Sequence, residues 1–234
     1  MELDERLHHI RNCMHKACEL AGRDPSGVML LPVSKNHTAD SVRELTYHKC
    51  RAFGENRVQE AKLKISACPG NLEWHLIGHL QSNKCRDAVR FFDMIQSVDR
   101  MSIAEEINKH AHIAGKDMPI LIEVNVAGEA SKHGFRPEEL IEQINAINSL
   151  PRLEIHGLMT IAPWTPDPEK IRPVFRRLRE IKEECEQILE APMQHLRMGM
   201  SGDFEVAIEE GATIVRIGTA IFGPRPNTKK KTDK

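Results

Sequence analysis

Lys35 is a candidate nucleophile because it lies just beyond an apolar run. The run covers residues 28–33 and is followed by Ser34 and then by Lys35. A lysine at the end of a buried strand lies at the edge of an apolar cavity, where lost hydration disfavours the ammonium form and lowers the pKa of the amine. Such an amine can attack a carbonyl carbon and form a Schiff base. Because most lysines in loops are simply solvated, a solvated Lys35 remains the alternative.

Two glycine-containing segments later in the chain have the residues of a phosphate-binding site. They are Gly199-Met200-Ser201-Gly202-Asp203 and Gly218-Thr219-Ala220. Glycines let backbone N–H groups approach a phosphate, helix N-termini supply positive potential, and hydroxyl groups add donors. Either glycine could serve only to turn the chain. Glycine and hydroxyl together in both segments favour a phosphate site, with Ser201 and Thr219 as side-chain donors.

Arg216 is a charged residue in an otherwise apolar strand pattern, between Val215 and Ile217. If its side chain points into the protein, the guanidinium needs a carboxylate, a phosphate or a ring nitrogen as partner. If it points outward, its stem can run along apolar surface to reach water. Glu123 and Asn125 share one face of another predicted strand, where buried hydrogen-bonded structure and ligand contact both stay open.

The histidines do not have the spacing of a metal site. His75 and His79 are four residues apart, but Gly78 and the strand pattern put them on an extended segment rather than on one helix face. His9 with Cys13, and His15 with Cys18, have helical spacing near the N-terminus, where no third and fourth ligands are evident. We therefore expect no metal site.

Strand-length apolar runs alternate with helical patterns along the chain, and this alternation positions the candidate residues. A helix pattern lies between each pair of runs, and a further helix is predicted at residues 3–20. This count is that of a (β/α)8 TIM-type barrel, although a doubly wound sheet shows the same alternation. The predicted strands are 28–33, 51–54, 73–78, 93–98, 120–126, 153–161, 195–198 and 213–217.

The barrel interpretation places the candidate residues together. Active sites of such barrels lie at the C-terminal ends of the strands, and the loops after strands seven and eight commonly bind phosphate. Lys35 follows strand one and the two glycine segments follow strands seven and eight. No linker divides the chain, so we expect one domain over residues 1–234, with a basic, flexible tail at about 225–234.

Composition and charge exclude several classes of protein. Of the 234 residues, 40% are hydrophobic, and the formal net charge is −1, so no overall field favours nucleic acid or an anionic membrane. The acidic start of the chain argues against a signal peptide, and no apolar run approaches the roughly 18 residues that a membrane helix needs. The 6 cysteines are irregularly spaced, which favours free thiols in a reducing compartment. We expect a cytoplasmic monomer.

A reactive lysine beside a phosphate site narrows the ligand to a phosphorylated carbonyl compound. Pyridoxal 5′-phosphate (PLP) and sugar phosphates both qualify. Arg216 separates them, because a guanidinium that faces a pyridine nitrogen supplies no acid and keeps that nitrogen unprotonated. Such an arrangement weakens the electron sink on which most PLP enzymes depend, and a sugar-phosphate aldolase would have no use for it.

Several motifs together resemble the pyridoxal 5′-phosphate homeostasis proteins, whose barrel is similar to the N-terminal domain of alanine racemase. They run through nearly the whole chain in the order of that family. The motifs are LPVSK at 31–35, FGENRVQE at 53–60, WHLIGHLQSNK at 74–84, HGLMT at 156–160, GMSGD at 199–203 and VRIGTAIFG at 215–223.

The resemblance implies a role for each matching residue. Lys35 would hold PLP as a covalent aldimine, Arg216 would face the pyridine nitrogen, Asn56 would lie near the ring hydroxyl, and His156 would pack beneath the ring. Lys132 matches a family lysine that assists cofactor transfer. The full set of expected cofactor-binding residues is Lys35, Asn56, His156, Met200, Ser201, Arg216, Gly218 and Thr219.

Two positions depart from the family pattern, and both lie where the cofactor rim is expected. The family often has Pro at the position of His79 and Tyr at the position of Arg57. Affinity for the cofactor, or its exchange rate, could therefore differ in this chain.

Two functions fit the resemblance. The first is a protein that buffers PLP or delivers it to apo-enzymes without catalytic turnover. The second is an amino-acid racemase, which needs bases on both faces of the cofactor. In alanine racemase the second base is a tyrosine from a C-terminal β-domain, whereas this sequence has 1 tyrosine, Tyr47, in the helix after strand one. A sugar-phosphate aldolase that uses Lys35 is a weaker third hypothesis, because nothing supplies its acid/base pair. We therefore expect the buffering function.

Overall fold

Eight parallel strands form one sheet in the computed structural model of the chain, which describes residues 2–223. The strands are β1 (Met29–Pro32), β2 (Ala52–Glu55), β3 (Glu73–Leu76), β4 (Met94–Val98), β5 (Met118–Glu123), β6 (Leu153–Met159), β7 (His195–Arg197) and β8 (Ile214–Ile217). Their order in the sheet is β1-β8-β7-β6-β5-β4-β3-β2. A bridge between Val33 and Gly54 then joins β1 to β2. This closure confirms the (β/α)8 barrel and excludes the doubly wound sheet, which has open edges.

Helices follow the strands around the outside of the barrel. In the described part of the chain they are α1 (Leu3–Leu20), α2 (Ala39–Tyr47), α3 (Val58–Ile65), α4 (Cys85–Phe91), α5 (Met101–Ala114), α6 (Pro137–Asn148), α7 (Arg172–Leu189), α8 (Phe204–Glu209) and α9 (Thr219–Phe222). The first helix, α1, precedes the repeating pattern and contacts α8 and α9. The basic tail predicted at about 225–234 lies outside the described residues.

The longest of the connecting helices, α7, shows why these segments are helical. A proline in the first turn costs no helical hydrogen bond, and Pro173 stands there. Phe175, Leu178, Ile181 and Cys185 follow at spacings of three and four residues and are buried against the sheet. The apolar stripe therefore faces the barrel, and the remaining positions of the helix are mostly charged.

Three predicted strands end two or more residues earlier in the structure than their apolar patterns suggest. The runs 73–78, 120–126 and 153–161 leave the sheet after Leu76, Glu123 and Met159. The first residue past each end still donates to a neighbouring strand, as the Thr160 N–H does to the Arg197 carbonyl at 3.2 Å. The backbone then pairs with loop residues, as when the Asn125 N–H donates to the Phe135 carbonyl at 2.9 Å. The apolar residues past the strand ends thus build the loops at the mouth of the barrel.

Side chains alternate between two cores, as the two faces of a strand require. Val215 and Ile217 belong to the large apolar core between sheet and helices. Ile214 belongs to a separate smaller cluster, which fills the barrel interior. By the same alternation Arg216 faces inward. The interior cluster comprises Leu31, Val33, Ala52, Ile77, Met94, Leu121, Met159 and Ile214.

The cysteines of the described residues form no disulfide bonds, as their irregular spacing predicts. The thiols of Cys13, Cys18, Cys50, Cys68, Cys85 and Cys185 are free. Burial raises the pKa of the Cys85 thiol to about 11 and that of the Cys185 thiol to about 12, so both are protonated and poorly reactive at neutral pH.

Within residues 2–223, no helix combines the length and the apolar character that crossing a bilayer requires.

Candidate functional site

A cavity opens at the C-terminal ends of β7, β8 and β1. Its lining includes Val33, and we call it the Lys35 cavity. The structure brings six of the eight expected cofactor-binding residues to its wall, and these are Lys35, Met200, Ser201, Arg216, Gly218 and Thr219. Segments that are separated by more than 160 residues in the sequence thus meet at one rim, because the ends of neighbouring parallel strands lie side by side.

Lys35 reaches the cavity because strand alternation continues past β1. Val33 points into the barrel and Ser34 points outward, so Lys35 lies on the same side as Val33. Asn36 then turns the chain with a φ of 63°, a left-handed conformation that asparagine tolerates better than most residues. Its N–H donates to Glu60 Oε1 at 2.5 Å, which ties the turn to α3.

A buried polar cluster behind the loop holds the backbone at Ser34. Ser34 Oγ donates to Glu55 Oε1 at 2.5 Å, and Lys64 Nζ donates to the same oxygen at 2.5 Å and to the Ser34 carbonyl at 2.6 Å. Burial raises the pKa of the Glu55 carboxyl, and the charge of Lys64 offsets part of that rise. The cluster therefore fixes the residue immediately before Lys35 from the outer side of the barrel.

The loop after β7 is shaped by a glycine that no other residue could replace without rearrangement. Gly199 has a φ of 93°, and a Cβ at this position would lie 2.7 Å from Ala207 Cβ. The Met200 N–H donates to Asp203 Oδ1 at 2.5 Å, which tightens the turn into α8. This turn leaves Ser201 exposed at the cavity.

Gly218 plays a different part, because its conformation does not require glycine. Its φ is −108°, and a Cβ would lie 3.6 Å from Val33 Cβ, an ordinary contact with another residue of the cavity wall. A side chain would therefore take up space in the cavity without a clash. The residue caps α9, whose first backbone N–H groups have no acceptor within the helix. Gly218 and Thr219 thus offer open backbone together with a hydroxyl group.

Arg216 lines the cavity, which resolves its orientation in favour of the interior. Its Nη2 lies 3.2 Å from Met200 Sδ, a weak acceptor. Burial lowers the pKa of Arg216 to about 10, and the nearby carboxylates of Glu123 and Asp203 oppose that shift. The guanidinium therefore stays charged at neutral pH and directs strong donors toward the cavity.

Arg197 is a polar residue of the interior that sequence reasoning missed. Its side chain is 0% exposed, and its Nη1 lies 3.0 Å from Met159 Sδ. Its Nε and Nη2 are buried without a hydrogen-bond partner among the described residues. Burial lowers the pKa of Arg197 well below its ordinary value; the charge of Arg216 acts in the same direction and that of Glu123 opposes it. Arg197 alternates with Leu196 and Met198 just as Arg216 alternates with its neighbours, so the same signal was present in the sequence.

Glu123 and Asn125, which share a strand face in the sequence, have separate environments. Burial raises the pKa of the Glu123 carboxyl, and the charges of Arg197 and Arg216 oppose the rise. Asn125 Nδ2 donates to the Glu129 carbonyl at 2.9 Å and so supports the loop after β5. In the same loop Lys132 Nζ donates to Glu129 Oε1 at 2.8 Å and to the Ile161 carbonyl at 3.1 Å.

Asn56 lies at the same end of the barrel but in a neighbouring cavity. It directly follows β2 and shares this second cavity with Arg57 and His79, the two departures from the family pattern, and with Lys84. Its Oδ1 is buried without a hydrogen-bond partner among the described residues. Gly78 is required beside it, because a Cβ there would lie 2.3 Å from the Asn56 carbonyl oxygen.

His156, another expected site residue, lies within β6 and does not line the Lys35 cavity. Ile120 pairs with Ile155 and Leu121 pairs with Gly157, so His156 is the extra residue of a β-bulge. Its ring centroid lies 6.2 Å from that of His195, the first residue of β7. His156 therefore lies in the middle of β6, away from the lining residues of the Lys35 cavity, and its expected place beneath a cofactor ring stays a prediction.

Comparisons with known proteins agree with this architecture. The family model described as alanine racemase, N-terminal domain, matches residues 6–226. The pyridoxal phosphate homeostasis protein of Aquifex aeolicus is 46% identical over 226 residues, which cover 96% of this chain and 99% of that protein. The protein of the same name from Bos taurus is 42% identical, over 88% of this chain and 80% of that protein.

Solved structures show the same fold. PipY of Synechococcus elongatus, in a structure with PLP bound, is 36% identical with a TM-score of 0.79 and covers 90% of this chain and 100% of that one. An alanine racemase of Clostridium difficile has a TM-score of 0.75 at 17% identity, over 97% of this chain and 58% of that one, which shows a shared fold alone. The relatives are named for homeostasis of pyridoxal phosphate rather than for a reaction. By these matches the chain belongs to the pyridoxal phosphate homeostasis proteins, a family built on the alanine racemase N-terminal domain.

Proposed function

We propose that the chain binds PLP in the Lys35 cavity and buffers or delivers it without catalytic turnover. The observation that carries this proposal is the convergence of a lysine amine, an arginine and two hydroxyl-bearing loops on one cavity. Each group matches a different part of the cofactor. The family relation supports the same ligand, because PLP is bound in the structure of PipY.

The residues that line the Lys35 cavity fit the phosphate, the aldehyde and the ring nitrogen of PLP. Ser201 and Thr219 offer hydroxyl donors to a phosphate, and Gly218 leaves room for it. Lys35 offers an amine to the aldehyde. Arg216 offers a charged donor to the ring nitrogen. Met200 would hold Arg216 in place through its sulfur, 3.2 Å from Nη2.

Lys35 would hold the cofactor through a reversible covalent bond. Its amine is the group that would add to the aldehyde carbon, and the C=N bond would form with loss of one water molecule. The reverse step consumes water and frees the cofactor. A bond of this kind supports storage and delivery, because no other reactant is needed to release the ligand.

Arg216 would limit the chemistry of the bound cofactor. PLP supplies an electron sink for reactions at amino-acid carbon atoms, and the sink is strong when the ring nitrogen is protonated. The Arg216 guanidinium keeps its own proton at neutral pH, since the pKa of Arg216 is about 10. A ring nitrogen that accepts a hydrogen bond from it stays unprotonated, which supports retention of the cofactor over turnover.

The racemase alternative requires a second base on the other face of the cofactor. Tyr47, the 1 tyrosine of the sequence, is 85% exposed on α2 and does not line the Lys35 cavity. Among the described lining residues, Lys35 carries the one amine, and none of the others is a carboxylate, an imidazole or a phenol. This composition supports the buffering function.

Further parts of the proposal concern the setting of the protein. We infer that it acts as a cytoplasmic monomer, and that apo-enzymes which require PLP receive the cofactor. Asn56 is assigned to the hydroxyl side of the ring from the neighbouring cavity, which opens at the same rim. Lys132 is assigned to transfer.

The site is tested by its absorbance and by chemical trapping. We expect the purified protein to be yellow, and borohydride reduction followed by peptide mapping to place the cofactor on Lys35. The matched control is Lys84→Ala, which removes a lysine from the neighbouring cavity. A Lys35→Ala protein with the full absorbance band of a lysine-linked cofactor would overturn the assignment.

The function is tested by transfer. Loaded protein is mixed with an apo-enzyme that requires PLP, and recovery of the enzyme's activity is followed over time. In parallel, exchange of the α-proton is measured for a panel of amino acids in heavy water. We expect transfer without exchange, whereas rapid exchange that depends on Lys35 would establish an enzyme instead.

A further inference from the structure

Two histidines and an aspartate converge at the barrel mouth over β3, β4 and β5, and one of them, His79, also lines the cavity of Asn56. His79 follows β3, Asp99 follows β4, and His133 lies in the loop after β5. Asp99 Oδ2 lies 2.8 Å from His79 Nδ1 and 3.8 Å from His133 Nδ1. One ligand atom from each residue lies within 4.8 Å of the others. We call these three residues the His–Asp–His cluster.

Asp99 is the fixed member of the cluster. Its side chain is 3% exposed, and its Oδ1 accepts a hydrogen bond from Arg100 Nη1 at 2.7 Å. This bond leaves Oδ2 directed toward the two imidazoles. A ligand whose other oxygen is held by a neighbour is oriented in advance, as is usual for carboxylates that bind metals.

The two histidines supply access from solvent. The side chain of His79 is 33% exposed and that of His133 is 57% exposed, so the cluster is closed below by Asp99 and open above. An ion could reach it directly from water and could keep a water molecule as a further ligand.

We propose that His79, Asp99 and His133 form a binding site for Zn²⁺ or a similar divalent transition-metal ion. Two neutral imidazole nitrogens and one carboxylate oxygen are a ligand set that suits zinc, and three protein ligands leave the fourth tetrahedral position open to water. Mg²⁺ and Ca²⁺ prefer oxygen ligands throughout, so the two histidines select against them.

Binding requires one ring to turn. The two imidazoles are stacked, with centroids 3.8 Å apart and planes at 16°. A metal ion lies close to the plane of each imidazole that binds it, at about 2.0–2.1 Å from the nitrogen, so two stacked rings cannot both direct a lone pair at one ion. His133, the more exposed, is the ring that turns. Zinc binding is therefore expected to separate the rings.

The cluster was hidden in the sequence because its members come from three separate segments. His79 stands near His75 in the chain, but His75 Nδ1 contacts Gln96 Nε2 at 2.7 Å inside the barrel. Pairs that are local in the sequence, such as His75 with His79, therefore do not reveal the cluster. In the tertiary structure the residues near His79 that could bind a metal are Asp99 and His133.

The test is a titration of the purified full-length chain with Zn²⁺ against a chromogenic chelator. We expect one saturable site per chain, and an affinity at least about tenfold lower in His79→Asn and in His133→Asn. His15→Asn is the matched control, because His15 Nδ1 forms an exposed pair with Glu19 Oε1 at 3.3 Å. Circular dichroism of each zinc-free variant checks that it is folded.

Two further measurements separate this site from its competitors. Cys13 Sγ lies 3.8 Å from His9 Nε2, so Cys13→Ser tests capture by a thiol, and the spectrum of the Co²⁺ complex distinguishes nitrogen and oxygen ligands from thiolate. Lys35→Ala is expected to bind zinc normally, which keeps the result independent of the cofactor proposal. The proposal is overturned if the wild type has no saturable site, if both histidine variants retain its affinity, or if Cys13→Ser alone abolishes binding.

Discussion

The two sides of the barrel mouth are built in different ways. The Lys35 cavity lies over β7, β8 and β1, and its residues come from short contiguous motifs that each follow a strand. The His–Asp–His cluster lies over β3, β4 and β5, and each of its members stands alone in the sequence. Both use the same edge of the sheet. The difference shows that a motif makes one side of a rim recognisable in sequence, whereas the other side depends on which loops the barrel brings together.

The largest expected effect is a reciprocal loss of the two ligands. Lys35→Ala removes the amine and is expected to abolish borohydride-trapped PLP while zinc affinity stays unchanged. His133→Asn is expected to weaken zinc binding at least about tenfold while borohydride-trapped PLP stays unchanged. Mass spectrometry after reduction and zinc titration measure the two ligands in the same preparations. If either variant lost both ligands while still folded, the two sides would be one coupled site and the comparison would fail.

Protonation of His75, in the barrel interior, is expected to lower the stability of the whole fold and so to affect both sides of the mouth. Burial lowers the pKa of His75 from 6.5 to about 4, with the charges of His195 and Arg197 acting in the same direction. Because the unfolded chain takes up this proton at the higher pKa, stability is lost as pH falls from about 6.5 toward about 4. The loss attributable to His75 is roughly 3 kcal/mol at most.

Urea unfolding across that pH range tests the contribution of His75. His75→Gln removes the titrating group, so its stability is expected to fall less steeply with acid than that of the wild type. The same substitution at exposed His15 is the control. An identical slope in wild type and His75→Gln would show that other groups cause the acid sensitivity.

Substitution of one arginine on each side of the mouth is expected to have an effect of intermediate size on one ligand only. Arg216→Gln removes the charged donor from the Lys35 cavity, and loss of a hydrogen bond to a charged group costs roughly 1.5–3 kcal/mol. PLP affinity is therefore expected to fall by about tenfold to a hundredfold with zinc binding intact. Arg100→Gln frees Asp99 Oδ1 and is expected to weaken zinc alone. Equilibrium dialysis of each ligand measures both variants, and equal effects on both ligands would contradict the separation.

The smallest expected effect distinguishes two glycines of the phosphate loops. Gly218→Ala places a methyl group in the cavity near Val33, whereas a Cβ on Gly202 meets nothing within 4 Å. We expect Gly218→Ala to lower PLP affinity by about tenfold, and Gly202→Ala to leave it unchanged. Thermal unfolding of the two variants should be alike. Equal affinities would mean that the space beside Gly218 is not used by the cofactor.

Sequence patterns predicted the order and nature of the elements well but their ends less well. The runs at 120–126 and 153–161 continue past Glu123 and Met159, because apolar residues are also needed to cover the mouth of the barrel. Arg197 alternates with apolar neighbours as Arg216 does. Because β7 has three residues, its pattern gives less context for an inward charge than that of β8.

The position of His156 could not be read from the sequence. A bulge at this residue shifts the register of β6 against β5, and a shift of one residue exchanges the two faces of a strand. Such a shift depends on contacts with the neighbouring strand rather than on local residue preferences. The motif HGLMT was therefore readable in the sequence, whereas the bulge at its first residue was not.

The sequence by itself determined the alternation of strands and helices and the motifs on the Lys35 side of the mouth, because alternating elements and the residues that follow each strand are local properties of the chain. In a barrel of parallel strands the C-terminal ends of all strands lie at one edge. Only the tertiary structure decided that Arg216 points inward, that Arg197 is buried beside it, and that His79 meets Asp99 and His133. These outcomes depend on strand register and on the closure of the sheet, which are set by contacts between segments far apart in the chain.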